Sequence, residues 1–137
     1  MATLVTRIER NQGTALSPEE IFEISRARET ALSRLLMLYI STGLVFMLLP
    51  GTFLGVWNLI SISTKAAADS VSPAWIQAHG HAQVFGWIGS FILGIGFYSI
   101  PKLRRMEPFE LWAARACWLL WTAGVALRWL VNIYLWR

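Results

Sequence analysis

The side chains best suited to hold a metal stand together at His79-Gly80-His81, the only two histidines of the chain, followed by Ala82, Gln83, Val84, Phe85 and Gly86. They open an apolar run that carries no charged residue as far as Pro101. An ionisable group inside such a run is costly and usually functional.

Helical periodicity of about 100° per residue gives the run two unlike faces. His79 shares a strip with Ala82, Gln83, Gly86, Ser90, Gly94 and Phe97, nearly all small. His81 points the other way with Val84, Phe85, Ile88, Ile92 and Ile95, a bulky strip suited to lipid or to ordinary helix packing. The two imidazoles therefore do not grip one ion or one flat ring from the same side. A porphyrin lies close against the helix that ligates it, so its histidine needs neighbours without bulk one and two turns on. His79 has them in Gly86 and Ser90; His81 does not. Small residues at a spacing of four, here Gly86, Ser90 and Gly94, are equally what lets two membrane helices approach closely, and on spacing alone the two readings stand level.

A histidine, five residues, Phe-Gly, then a glycine-rich span ending in Pro and a basic residue resembles the second span of haem-copper oxidase catalytic subunits. It is similar too to the His-x-His-x-x-x-Phe-Gly segment of NnrS-type haem membrane proteins. The resemblance covers about two dozen residues, His79 to Lys102. It implies that His79 is an axial ligand of a low-spin haem, with haem, of b type, as cofactor. The oxidase subunits resemble bundles of about a dozen helices with further histidines for copper and a second haem, and those positions have no counterpart here. Oxygen reduction by this chain alone is therefore not expected, and the reading leaves room for a fragment or one part of a split subunit.

The elements that must hold these residues are membrane spans. Of 137 residues, 55% are hydrophobic and eight are tryptophan, with a positive mean hydropathy. Two uncharged runs, Leu35 to Thr64 and Ser70 to Pro101, exceed the ~20 residues that cross a bilayer. A third, Leu111 to Trp136, is interrupted by Arg115 and Arg128. The expected fold is all-α, an integral membrane protein with three transmembrane helices (31–137) behind an N-terminal cytoplasmic arm and amphipathic helix (1–30).

The net charge of +4 does not argue for nucleic acid, because the basic residues flank apolar runs, as cytoplasmic loops require. Arg7, Arg10, Arg26, Arg28 and Arg34 precede the first span and Lys102, Arg104 and Arg105 follow the second, against Lys65 alone in the other loop. The bias predicts a cytoplasmic N-terminus; the membrane expected is a bacterial inner membrane. Cys117 is alone and forms no internal disulfide, and the polar residues 1–30 are no cleavable signal peptide.

Ser17-Pro18-Glu19-Glu20 reads as a helix start, with Ser17 as N-cap and Glu20 three residues on. Residues 21–34 either lie on the membrane surface or lead into the first span. That span runs from Leu35 to about Leu49, where Pro50-Gly51 kinks or breaks it, and resumes to Trp57 or Ile60. Asn58 to Ser72 reads as a loop, Ser72-Pro73 as the start of the second helix, and Pro101 to Arg105 as a basic turn that closes it. The third helix starts near Pro108 or Glu110. Met37 and Met47 are able to ligate haem iron, but methionine in an apolar run is usually filler.

Arg128 falls roughly 13 Å inside the end of the third span on the helical rise, near the level of His79. A guanidinium there needs an anionic or hydrogen-bonding partner, and no Asp or Glu lies at that depth. A haem propionate fits that need; so does snorkelling toward lipid phosphate. Trp118, Trp121 and Trp129 can wall a porphyrin or pack on neighbours, and Gln83, one turn from His79, can tune the pocket or bond a neighbouring helix. No GxGxxG, P-loop, triad or cysteine cluster supports nucleotide chemistry or hydrolysis.

Three functions follow as expectations. The first is a membrane haem-binding protein, with His79, Gln83, Gly86, Ser90 and Arg128 about the cofactor. It would serve electron transfer or O2/NO binding, with the second axial ligand from another subunit or a second copy. The second is a non-catalytic assembly subunit that docks a partner helix on its Gly86/Ser90/Gly94 face. The third, His79 and His81 as stations in a copper or zinc path, is the weakest, since no Cys or carboxylate joins them.

Overall fold

A computed structural model describes residues 17–65, 71–104 and 110–135. Among them all regular structure is helical. Three helices are long and apolar enough to cross a membrane: α1 (Pro18–Lys65), α2 (Pro73–Arg104) and α3 (Leu111–Tyr134). The chain divides into two units between Ala31 and Leu32.

The first unit contains the start of α1. Ser17 and Glu20 close the expected capping box: the Glu20 amide donates to Ser17 Oγ at 3.2 Å and the Ser17 amide donates to Glu20 Oε2 at 2.9 Å. Two amides that no helical carbonyl can reach are thereby satisfied. Ile21 and Phe22 stand exposed.

In the second unit, α1 does not break at Pro50-Gly51. Proline has no amide to give to the carbonyl four residues back, and α1 absorbs the loss in a wide π turn, Met47–Thr52. Thr52 Oγ1 donates to the Met47 carbonyl at 2.8 Å inside it. The helix then continues to Lys65, so Asn58 to Thr64 are helical rather than loop. The reason is physical: an apolar run without a breaker bonds its amides internally when no water is at hand. Likewise α2 does not close at Pro101 but runs on to Arg104, where Lys102 Nζ sits 3.8 Å above the Tyr98 ring centre. It starts at Pro73 after Ser72, as expected, and holds a second wide segment, Ala82–Gly89. α3 begins at Leu111 after Glu110; Pro108, Arg105 and residues 1–16 lie outside the described residues.

α2 is the middle element. One face of it packs on α1 and another on α3. α1 and α3 also meet directly, around fully buried Tyr39, whose hydroxyl donates to the Ala114 carbonyl at 2.9 Å. Next to it Trp118 Nε1 donates to Thr42 Oγ1 at 3.0 Å, and Thr42 donates to the Leu38 carbonyl at 2.8 Å. Leu35, Tyr39 and Ala114 form the core here, with Leu93, Phe97, Leu111 and Trp118 around them. In the most apolar stretch of α1, α2 and α3 only 28%, 22% and 11% of residues are buried. Leu48, Phe53, Ile92, Leu120 and Leu127 face outward, as side chains in contact with lipid do.

Candidate functional site around His79

The two wide turns face each other, and His79 lies where α2 approaches the first of them. Its Nδ1 is 2.8 Å from the carbonyl oxygen of Gly51. A carbonyl only accepts, so the proton is on Nδ1, and the neutral ring keeps its lone pair on Nε2. The ring is seated on Gly55: a Cβ there would come within 2.8 Å of His79 Cε1. A backbone carbonyl holding Nδ1–H is the usual support of an imidazole that binds metal through its other nitrogen.

Sequence reasoning missed both partners. Gly51 was legible only as half of a break at Pro50, and Gly55 not at all. The available signal was their spacing of four, which places both on the α1 face that meets α2.

The groove expected beside His79 is filled. α1 lies in it, and a Cβ on Gly86 would stand 2.6 Å from Phe46 Cβ, while one on Gly94 would stand 2.6 Å from Tyr39 Cβ. Ser90 is 1% exposed, with its hydroxyl unbonded, and lies against Gly43. Gln83 presses its amide on Gly51, whose Cβ would meet Nε2 at 2.8 Å. The strip of small residues is thus a seam between two helices of the same chain, which leaves neither a macrocycle nor a partner helix a place along Gly86, Ser90 and Gly94.

His81 is on the other side. Val84, Phe85, Ile88, Ile92 and Ile95 are exposed as expected, but His81 itself is half-buried, its ring 4.9 Å from that of Phe85. Its Nε2 is buried without a hydrogen-bond partner. Trp121 of α3 covers the same turn, donating Nε1 to the Phe85 carbonyl at 3.3 Å. Arg128 stands on the side of α2 that carries His81. Met37 faces outward. Among the described residues no three His, Cys, Asp or Glu side chains gather to hold a metal. An ion on His79 would take its other ligands from outside this set of residues.

The fold and this site define a three-span helical membrane protein with one pre-oriented imidazole. No known family, curated protein or solved structure matches the chain.

Proposed function

We propose that the chain is the haem-ligating part of a membrane haem protein of the haem-copper oxidase or NnrS type. It acts in electron transfer or in binding O2 or NO, with the second axial ligand supplied by a partner subunit or a second copy. In this reading it resides in a bacterial inner membrane with its N-terminus in the cytoplasm. One observation carries the proposal: His79 donates Nδ1–H to the Gly51 carbonyl at 2.8 Å, which fixes the tautomer that ligates through Nε2. Bound haem, of b type, would supply a one-electron redox iron. The chain's own part is to hold the imidazole, with Gly51 fixing its tautomer and Gly55 its seat. Because α1 covers Gly86 and Ser90, neither residue would be part of the cofactor's seat. The same coverage weakens the assembly-subunit reading, whose docking face was this strip.

The test is an absorption spectrum of the full chain in membranes from haem-replete cells. A Soret band present in wild type and in His81→Ala but absent in His79→Ala is expected. Colourless, folded wild-type protein, or a band that survives His79→Ala, overturns the proposal.

A further inference from the structure

We propose that an apolar groove between α1 and α3, closed at its inner end, is the seat of one phospholipid acyl chain, retained as a fixed part of the protein. The cavity has a volume of about 660 Å³ and is lined by Phe46, Pro50 and Trp57 of α1, Trp75 of α2 and Ala126 and Ile133 of α3, among others that are all apolar. Its residues are distinct from those that hold His79.

Three features select the occupant. The first is depth. From Phe46 to Trp57 the lining of α1 covers about 16 Å at the helical rise, close to half of the ~30 Å hydrocarbon core. The second is that the cavity ends blindly: beyond Phe46, α1 and α3 are tied together by Tyr39 to Ala114 and by Trp118 to Thr42. An occupant lying along the groove stops mid-bilayer. A chain from one leaflet does that; a transmembrane helix, which needs a groove through both leaflets, does not. The third is chemistry. The lining offers no charged side chain to carboxylates such as those of a haem, whereas a hydrocarbon chain asks for none. Trp57 and Trp75 lie toward the end away from Phe46, where aromatic rings favour the headgroup level.

Pro50 is one of the lining residues. The wide turn that replaces its missing hydrogen bond forms part of the wall, so one irregularity in α1 both lines the cavity and, at Gly51, meets His79.

The experiment uses the full chain in mild detergent and reads retained lipid by native mass spectrometry after exchange into lipid-free detergent. One phospholipid per chain is expected in wild type. Ala126→Phe, which sets a ring into the cavity between α1 and α3, should weaken or abolish retention, while Leu127→Phe, on the outward face one residue on, should keep it. Wild type is also irradiated with a phospholipid bearing a photoactivatable group on its acyl chain. Cross-links should concentrate on Trp129 and Ile133, which line the cavity and are partly buried, over Leu119 and Leu120, which face outward. The proposal is overturned by wild type that retains no lipid, by an adduct unchanged in Ala126→Phe, by cross-links spread evenly, or by retention of an isoprenoid quinone or a polypeptide in the lipid's place.

Discussion

His79 and His81 sit two residues apart on one helix, yet their surroundings differ in kind. On the α1 side of α2, small residues bring the backbones together, and the imidazole has a carbonyl for its proton and a glycine for its seat. On the α3 side the imidazole stacks on Phe85 and leaves Nε2 buried and unbonded. α3 itself adds three more such atoms, Thr122 Oγ1, Trp129 Nε1 and Asn132 Oδ1, against Ser90 Oγ and Asn58 Oδ1 elsewhere. Each unsatisfied group costs on the order of 1–3 kcal/mol, and no water in the bilayer relieves it. α3, the least buried of the three helices, thus carries as many of these atoms as α1 and α2 together.

The contrast breaks first at glycine. Gly86 and Gly89 face different helices, and a Cβ on either would stand 2.6 Å from a neighbouring carbon. At Gly86 that carbon is Phe46 Cβ, fixed to the α1 backbone, so Gly86→Ala must push two helices apart. Overpacking of that kind costs typically 1–3 kcal/mol. At Gly89 it is the Trp121 ring edge, Cζ2, which can swing at the expense of a long bond to Phe85. Alanine's helix preference over glycine, ~1 kcal/mol, offsets much of that. Thermal unfolding in detergent should therefore show a large loss for Gly86→Ala and little change for Gly89→Ala. Equal losses would mean that the two faces are equally rigid.

How much of this could be read from the residues follows the same division. Three apolar runs gave the spans, and Ser17 with Glu20 gave a helix start that the structure closes bond for bond. Periodicity separated the two histidines correctly, because that depends only on helical geometry. It could not tell what fills a strip of small residues, since Gly86, Ser90 and Gly94 suit a flat ring and a neighbouring helix alike. Nor could it foresee that Pro50 would widen a turn instead of ending α1. A proline permits either outcome, and the choice falls to the uncharged residues beyond it. Gly51 was hidden for a related reason: it acts through its carbonyl, which every residue has.

A smaller effect sharpens the account of where α3 is attached. The Tyr39 hydroxyl donates to the Ala114 carbonyl in a site with no exposure, and Tyr39→Phe removes the donor while keeping the ring that packs 5.8 Å from Phe97. Interhelical hydrogen bonds in membranes contribute about 0.6 kcal/mol on average and up to ~1.7 kcal/mol. A loss within that range on denaturation by SDS is expected, together with greater access of a thiol reagent to Cys117 on α3. An unchanged midpoint and unchanged labelling would show that this bond does not hold α3.

The smallest change tests the histidine left without a partner. His81→Phe deletes the buried, unbonded Nε2 and keeps an aromatic ring against Phe85, a pair of the sort that contributes about 0.5–1.5 kcal/mol beyond its burial. Losing an orphan polar atom is neutral to favourable, because its desolvation was never compensated. The unfolding midpoint of His81→Phe should therefore match or slightly exceed that of wild type. His79→Phe should lower it, since that substitution strips the Gly51 carbonyl of its donor and forces a larger ring onto Gly55. A clear loss in His81→Phe would mean that Nε2 has a partner in the membrane, from a lipid or another chain. The α3 face would then be the functional one, and the two histidines would exchange roles.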